Sequence, residues 1–401
     1  MLSLIDKRSY VVLVVAFVQF VNALEFMIIA PMGPYLAKAF NLELNQIGLL
    51  VGFYTLFSVL SGIIGHRFLD RLNKKNTLLV TLSALCLTTF LCTTCSDLSM
   101  ILIFRAIAGF FGGLTLTLGM SVLINHIPET GRGRAFAVVM SAFPLVSIIG
   151  IPSALWLSHT LGWKAPFYLT ALLISIGLIT AFYFIPSMKH DSKKLISRPI
   201  SLNKKTILAA SLLGVAQFPI YLILPSLAML LQYNMGVALK DLPLIFMTGG
   251  IASLIGTQIS GHLSDLLGNL PVILISTVVL TMVFIFGLIL SMLPPVLFIS
   301  FLLLAVYMRL VSTTSLASRF PEPQQRSGFS AMQMAINNIF ATAASFISTI
   351  ILTQQNKMAL ENVFWLALLS TITSLTLPLL AYIYTNYLNQ RVRVNPELAI
   401  S

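Results

Sequence analysis

Residues 11–36 read VVLVVAFVQFVNALEFMIIAPMGPYL, a stretch in which Glu25 is the sole charge. Lys7 and Arg8 stand before it, as in a secretory leader, but the apolar core of a leader is only about 7–15 residues long. A membrane-crossing helix needs about 20 mostly apolar residues. The stretch satisfies that requirement and is expected to be a retained first transmembrane helix, span 1.

Working outward, the same criterion finds spans 2–6 at 46–68, 77–95, 98–125, 135–155 and 165–185. Spans 7–12 follow at 206–232, 242–263, 271–292, 296–318, 329–352 and 363–388. Only 9% of the chain is charged and 57% is hydrophobic, against about 25% charged in soluble domains. So few charges cannot cover a water-facing surface, and lipid is the expected solvent. The expectation is an all-α integral membrane protein with a six-helix bundle at 1–185, a cytoplasmic loop at 186–205, and a second bundle with a short cytoplasmic tail at 206–401.

The net charge of +12 is explained by topology. With both termini in the cytoplasm, the outer loops hold only Lys38, Lys164, Lys240 and Lys357, and most other Lys and Arg fall on the inner side. That is the positive-inside bias of short loops, and nucleic-acid binding is not needed to account for it. Cys86, Cys92 and Cys95 share one apolar segment and read as helix-packing residues. The five histidines, His66, His126, His159, His190 and His262, are scattered. Neither a metal site, a phosphate-binding glycine loop nor a cofactor is expected, and the chain does not read as an enzyme.

The two halves echo each other. Gly65-His66 with Asp70 after span 2 matches Gly261-His262 with Asp265 after span 8, an offset of 265 − 70 = 195. Pro128-Glu129 after span 4 matches Pro321-Glu322 after span 10, an offset of 321 − 128 = 193. Parallel repeats of this kind place a substrate site between the halves near the bilayer midplane.

The loop Gly65-His66-Arg67-Phe68-Leu69-Asp70-Arg71-Leu72-Asn73-Lys74-Lys75 resembles the Gly-x-Leu-x-Asp-Arg-x-Gly-Arg-Arg signature of the major facilitator superfamily. His66 and Asn73 stand where that signature has glycine, and Asn is the residue other than glycine that best tolerates a left-handed turn. Arg105-Ala106-Ile107-Ala108-Gly109 is similar to the Arg-x-x-x-Gly element of the twelve-span drug:proton antiporter branch. Gly150-Ile151-Pro152-Ser153-Ala154 resembles its antiporter motif, and Gly162-Trp163-Lys164-Ala165-Pro166-Phe167 the stretch that follows. The resemblance implies the major facilitator fold, two pseudo-symmetric six-helix bundles, with spans 1 and 4 lining a central cavity. It also implies that Asp70 meets the start of span 11 and basic residues in a latch closed toward the cytoplasm, with Arg71 beside it. Arg134 is a further candidate partner, and the alternative is a solvated loop charge.

Glu25 is the only acid deep within a span, and a charge there costs roughly 2.5–3.5 kcal/mol on insertion scales. It lies about 20 Å along span 1 from the inner face, and Arg105 about 10 Å down span 4 from the outer face. In a core of about 30 Å these depths nearly coincide, so the two are expected to pair. A carboxyl that loses such a partner takes up a proton, and one that regains it releases the proton; the alternative is a static bridge. Arg309 in span 10 either meets a polar or anionic substrate group or snorkels to the interface. Gln19, Asn22, Gln217, Tyr221, Gln333 and Asn337 are candidates for substrate contact or for interhelical hydrogen bonds. Pro31 and Pro34, with Pro219 and Pro225 in the corresponding helix, are expected to kink spans 1 and 7.

The expected function is proton-coupled efflux antiport of small organic molecules by a monomer in the bacterial inner membrane. The alternative is proton-coupled import of a nutrient on the same fold.

Overall fold

The computed structural model describes residues 7–68, 72–127, 129–186, 204–318, 320, 326–355 and 359–394. Among them are twelve helices long and apolar enough to cross a membrane. Spans 1–6 are Ser9–Met27, Leu44–Ile64, Lys74–Thr94, Leu98–His126, Arg134–Leu161 and Ala165–Phe184. Spans 7–12 are Thr206–Asn234, Leu242–Leu267, Asn269–Ile289, Pro295–Ala317, Met332–Ile351 and Val363–Tyr387. The face at which span 1 begins is here called proximal and the opposite face distal. Leu87, Trp156, Tyr183, Trp365 and Leu379 are exposed, as lipid-facing side chains are.

Span 1 is shorter than hydropathy alone suggests. Its helix stops at Met27, and the chain passes through turns to a second helix at Gly33–Phe40. Pro31 and Pro34 lack the N–H groups that would carry the ladder onward. Span 7 breaks in the corresponding place, with Pro219 inside Lys204–Ile223 and a 3₁₀ turn, Leu224–Ser226, around Pro225. Wider π turns interrupt span 5 at Val146–Gly150 and end span 7 at Leu230–Asn234 and span 9 at Ile285–Ile289. Between spans 11 and 12 lies a two-stranded hairpin, Thr353–Gln355 with Ala359–Glu361.

Asn73 does not occupy a left-handed turn. Its φ is −67°, and its side-chain oxygen accepts from Lys75 N at 3.1 Å and Asn76 N at 3.4 Å, capping span 3. An amide at this position satisfies helix N–H groups that a glycine would leave bare. The φ of +92° at Gly162, just past span 5, is where glycine is required.

The chain forms two compact units, residues 1–194 with 225–247 and 348–360, and residues 195–224 with 248–347 and 361–401. In the first, Val11, Val15 and Val18 of span 1 pack with Leu78 and Leu82 of span 3, Val122 of span 4 and Ile174 of span 6. Its distal end is tied by polar contacts. Asn45 Nδ2 donates to the Leu352 carbonyl at 3.0 Å, the Leu44 N–H to Gln354 Oε1 at 2.7 Å, and Asn234 Nδ2 to the Leu360 carbonyl at 2.9 Å. In the second unit, Ala209 and Ala216 of span 7 pack with Ile273 of span 9, Leu316 of span 10, and Leu377 and Tyr384 of span 12.

One glycine in each unit permits a close backbone crossing. A Cβ on Gly109 of span 4 would fall 2.8 Å from the Tyr54 Cα in span 2, and one on Gly256 of span 8 would fall 3.1 Å from the Leu304 Cα in span 10. Gly109→Val and Gly256→Val should therefore each destabilise the purified protein by about 1–3 kcal/mol, the usual cost of overpacking. A Cβ on Gly62 would meet nothing within 4 Å, and Gly62→Val should leave thermal unfolding unchanged. Equal effects at all three positions would refute the close-crossing account.

Candidate functional site

The break after span 1 sets Glu25 in the last turn of its helix, 1% exposed, opposite Arg105, which is 0% exposed. The Arg105 Nη1 donates to Glu25 Oε1 in a short ion pair, and also to the Glu25 carbonyl oxygen at 3.4 Å. The depth match expected from the sequence is realised as direct contact. Beneath the guanidinium lies a third residue, Tyr54 of span 2, with its ring centroid 4.5 Å from Arg105 Cζ. The Tyr54 phenol stands within interaction range of the Glu25 carboxyl, and its ring stacks on Phe26 at 4.9 Å. The crossing that Gly109 permits is what brings Tyr54 there.

The pair belongs to a polar seam along span 1. Gln19, Asn22 and Glu25, three residues apart, all face span 4. Gln19 Nε2 donates to the carbonyls of Thr115 at 3.4 Å and Leu116 at 3.3 Å, so its amide N–H groups serve an interhelical role. Asn22 Oδ1 lies against Gly112, 3.2 Å from where a Cβ would stand. The seam is only partly satisfied. Glu25 Oε2, Arg105 Nε and Nη2, Gln19 Oε1 and Asn22 Oδ1 are buried without a hydrogen-bond partner.

Span 5 borders the same region. Gly150 ends the π turn, and a Cβ there would meet Leu24 Cδ1 at 2.7 Å. Pro152 is buried in the turn that follows. The motif-like Gly150-Ile151-Pro152 thus forms an irregular segment of span 5 packed on span 1 beside Glu25.

The other candidates belong to the second unit. Tyr221 of span 7 and Asn337 of span 11 stand within interaction range of each other, and Asn337 Oδ1 has no hydrogen-bond partner. Gln217 and Gln333 are buried, and Gln333 Nε2 has no partner. Arg309 departs from one of its two sequence expectations. At 1% exposure it does not snorkel. Its Nη1 donates to Thr277 Oγ1 of span 9 at 3.0 Å and to Ser374 Oγ of span 12 at 2.7 Å, and its Nη2 to the Ser374 carbonyl at 3.0 Å. The nearby hydroxyls of spans 9 and 12 attract the guanidinium because span 10's own neighbourhood offers no acid. Arg134 is exposed. Asp70, its expected partner, and Arg71 lie outside the described residues.

Tyr54 was not marked by the sequence, since an isolated tyrosine in an apolar run has no signature. No group of three His, Cys, Asp or Glu side chains suited to a metal ion occurs among the described residues.

Comparison with known proteins agrees with this architecture. The Major Facilitator Superfamily profile matches residues 15–313. The inner membrane transport protein YdhP of Escherichia coli K12 is 23% identical over 65% of this chain and 67% of its own length. The MFS-type transporter YtbD of Bacillus subtilis is 22% identical over 58% of this chain and 59% of its own length, so the chain spans about three-fifths of that relative. The major facilitator superfamily multidrug transporter mfsC of Aspergillus fumigatus is 30% identical over 33% of this chain and 25% of its own length. Among solved structures, the nucleoside transporter NupG is similar over 95% of this chain and 99% of its own, at a TM-score of 0.70 and 14% identity. With twelve helices long and apolar enough to cross a membrane and a profile match over residues 15–313, the chain belongs to the Major Facilitator Superfamily and is a multi-pass membrane protein.

Proposed function

We propose that the protein is a proton-coupled efflux antiporter of small organic molecules, working by alternating access, with Glu25 and Arg105 as the coupling pair. One observation carries the reading: the pair is fully buried yet half satisfied, with one carboxyl oxygen and two guanidinium nitrogens unpartnered. A static buried bridge is stable only when its remaining donors and acceptors are bonded. An incompletely bonded pair loses less when its members part, and so suits a carboxyl that exchanges its guanidinium for a proton. Tyr54 supports Arg105 in both arrangements, because a cation–π contact does not require the carboxylate.

Gln19 and Asn22 in the first unit, and Gln217, Tyr221, Gln333 and Asn337 in the second, are each taken as candidates for a hydrogen bond to a polar but not polycationic substrate. The multidrug name of mfsC and the efflux name of NepI, a purine ribonucleoside pump of Shigella sonnei 25% identical over 52% of this chain, support export. Arg134 acts with Asp70 and Arg71 as a latch on the proximal face. The two six-span halves divide at 186–205, and the protein works as a monomer. The Lys and Arg bias makes the proximal face cytoplasmic, in a bacterial inner membrane.

Two measurements test this reading. In inverted vesicles with an imposed proton gradient, Glu25→Gln should abolish gradient-driven substrate movement while gradient-free substrate exchange continues. Full gradient-driven activity would reduce the pair to a static bridge, and substrate leaving the vesicle lumen with the protons would reverse the direction proposed. In intact cells, cysteines replacing Lys164 and Lys240 should react with a membrane-impermeant maleimide, and one replacing Arg134 only after permeabilisation. The opposite pattern would overturn the orientation.

A further inference from the structure

Among the described residues two arginines are buried, Arg105 and Arg309, and the coupling reading does not use Arg309. It sits fully buried in span 10, and arginine cannot shed its charge by deprotonation. Within the second unit, spans 9, 10, 11 and 12 contain no Asp or Glu at all, and Asp265 lies exposed at the proximal end of span 8. Among the described residues no acid pairs with Arg309; the ion pair present is Glu25–Arg105. Its recorded partners are neutral: two hydroxyls and one carbonyl. They orient the guanidinium and leave its charge uncompensated, with Nε unpartnered.

The hydroxyls one turn further on complete the pattern. Spans 9 and 12 run antiparallel, and Thr277 and Ser374 are level because both bond the same Nη1. Thr281 follows Thr277 by four residues and Ser370 precedes Ser374 by four, so both lie one turn, about 6 Å, distal to that level. On span 10 the residue one turn distal to Arg309 is Ala305, buried and small. Ser and Thr in helices commonly bond the carbonyl four residues back, as Ser312 and Thr373 do here. Thr281 Oγ1 and Ser370 Oγ do not: both are buried without any partner.

We infer that Arg309, Thr281 and Ser370 form a binding site for a small monovalent inorganic anion of the halide class, held inside the second unit between spans 9, 10 and 12. The charge comes from the guanidinium, and the two hydroxyls are free to turn their hydrogens toward the anion. The site is independent of the Glu25–Arg105 couple, which lies in the first unit.

The test uses the full-length protein in detergent, unfolded thermally in sodium gluconate and titrated with sodium chloride or bromide at constant ionic strength. Gluconate is too bulky to enter among three packed helices. A saturable rise in unfolding temperature with both halides is expected. Ser370→Ala and Thr281→Val should each weaken the apparent halide affinity about tenfold, the loss of one hydrogen bond to a charged group, while unfolding in gluconate stays close to wild type. Arg309→Met should abolish the halide response; should that variant fail to fold, the two hydroxyl variants carry the test. Identical unfolding of the wild type in gluconate and chloride would overturn the site. So would a halide response undiminished in the Ser370→Ala Thr281→Val double variant. Stabilisation by benzoate with none by halide would also overturn it, assigning Arg309 to the carboxylate of an organic substrate.

Discussion

A charge moved into hydrocarbon must be compensated where it stands, and the first unit is organised around that constraint. Glu25 and Arg105 neutralise each other between spans 1 and 4, but their contact depends on apolar geometry around them. Gly109 allows spans 2 and 4 to cross closely enough for Tyr54 to reach beneath the guanidinium. Gly112 gives room to Asn22, and Gly150 to Leu24. Pro31 and Pro34 end the helix of span 1 soon after the acid, so that Glu25 sits at a place where backbone direction changes. Small residues in a membrane bundle govern how near the backbones come, and here that nearness is what makes the ionic chemistry possible.

The second unit meets the same constraint differently. Span 10 stands to the second six spans as span 4 does to the first, and each carries one buried arginine. Arg105 is answered by a carboxylate and an aromatic face, Arg309 by hydroxyls of spans 9 and 12. Repetition has preserved the helix order and the close crossing, through Gly109 in one unit and Gly256 in the other. It has not preserved the side-chain chemistry. Among the described residues Glu25 is the one buried acid, so a guanidinium is met by a carboxylate in the first unit and by neutral groups alone in the second.

What the sequence discloses follows the physics of each feature. The spans were legible because lipid imposes a length and a polarity on every crossing. The Glu25–Arg105 contact was legible because there was a single embedded acid and helix rise converts position into depth. The kinks were legible from proline. Tyr54 was not, because hydropathy records that a tyrosine is tolerated and not what it touches. The side on which Arg309 is bonded was likewise hidden, since a guanidinium on a six-atom tether reaches several neighbouring helices and the choice rests on hydroxyls in other spans. Asn73 was read for its backbone tolerance, whereas its side-chain oxygen decided its place as a cap. The π turns leave no mark because each adds one residue to a helix without altering its apolar run.

The partly bonded seam between spans 1 and 4 is the strongest argument that the arrangement seen is one of at least two. Unpaired polar atoms in a low-dielectric interior cost more than the same atoms in water. Gln19 Oε1, Asn22 Oδ1, Glu25 Oε2 and two Arg105 nitrogens share one seam, so the cost is concentrated. An arrangement in which a proton satisfies the carboxyl and a substrate's polar groups satisfy the amides and the guanidinium would relieve it. The free energy lost by leaving these groups unpaired then lowers the barrier to the second arrangement. A seam bonded throughout would hold spans 1 and 4 more tightly and give neither proton nor substrate a reason to enter.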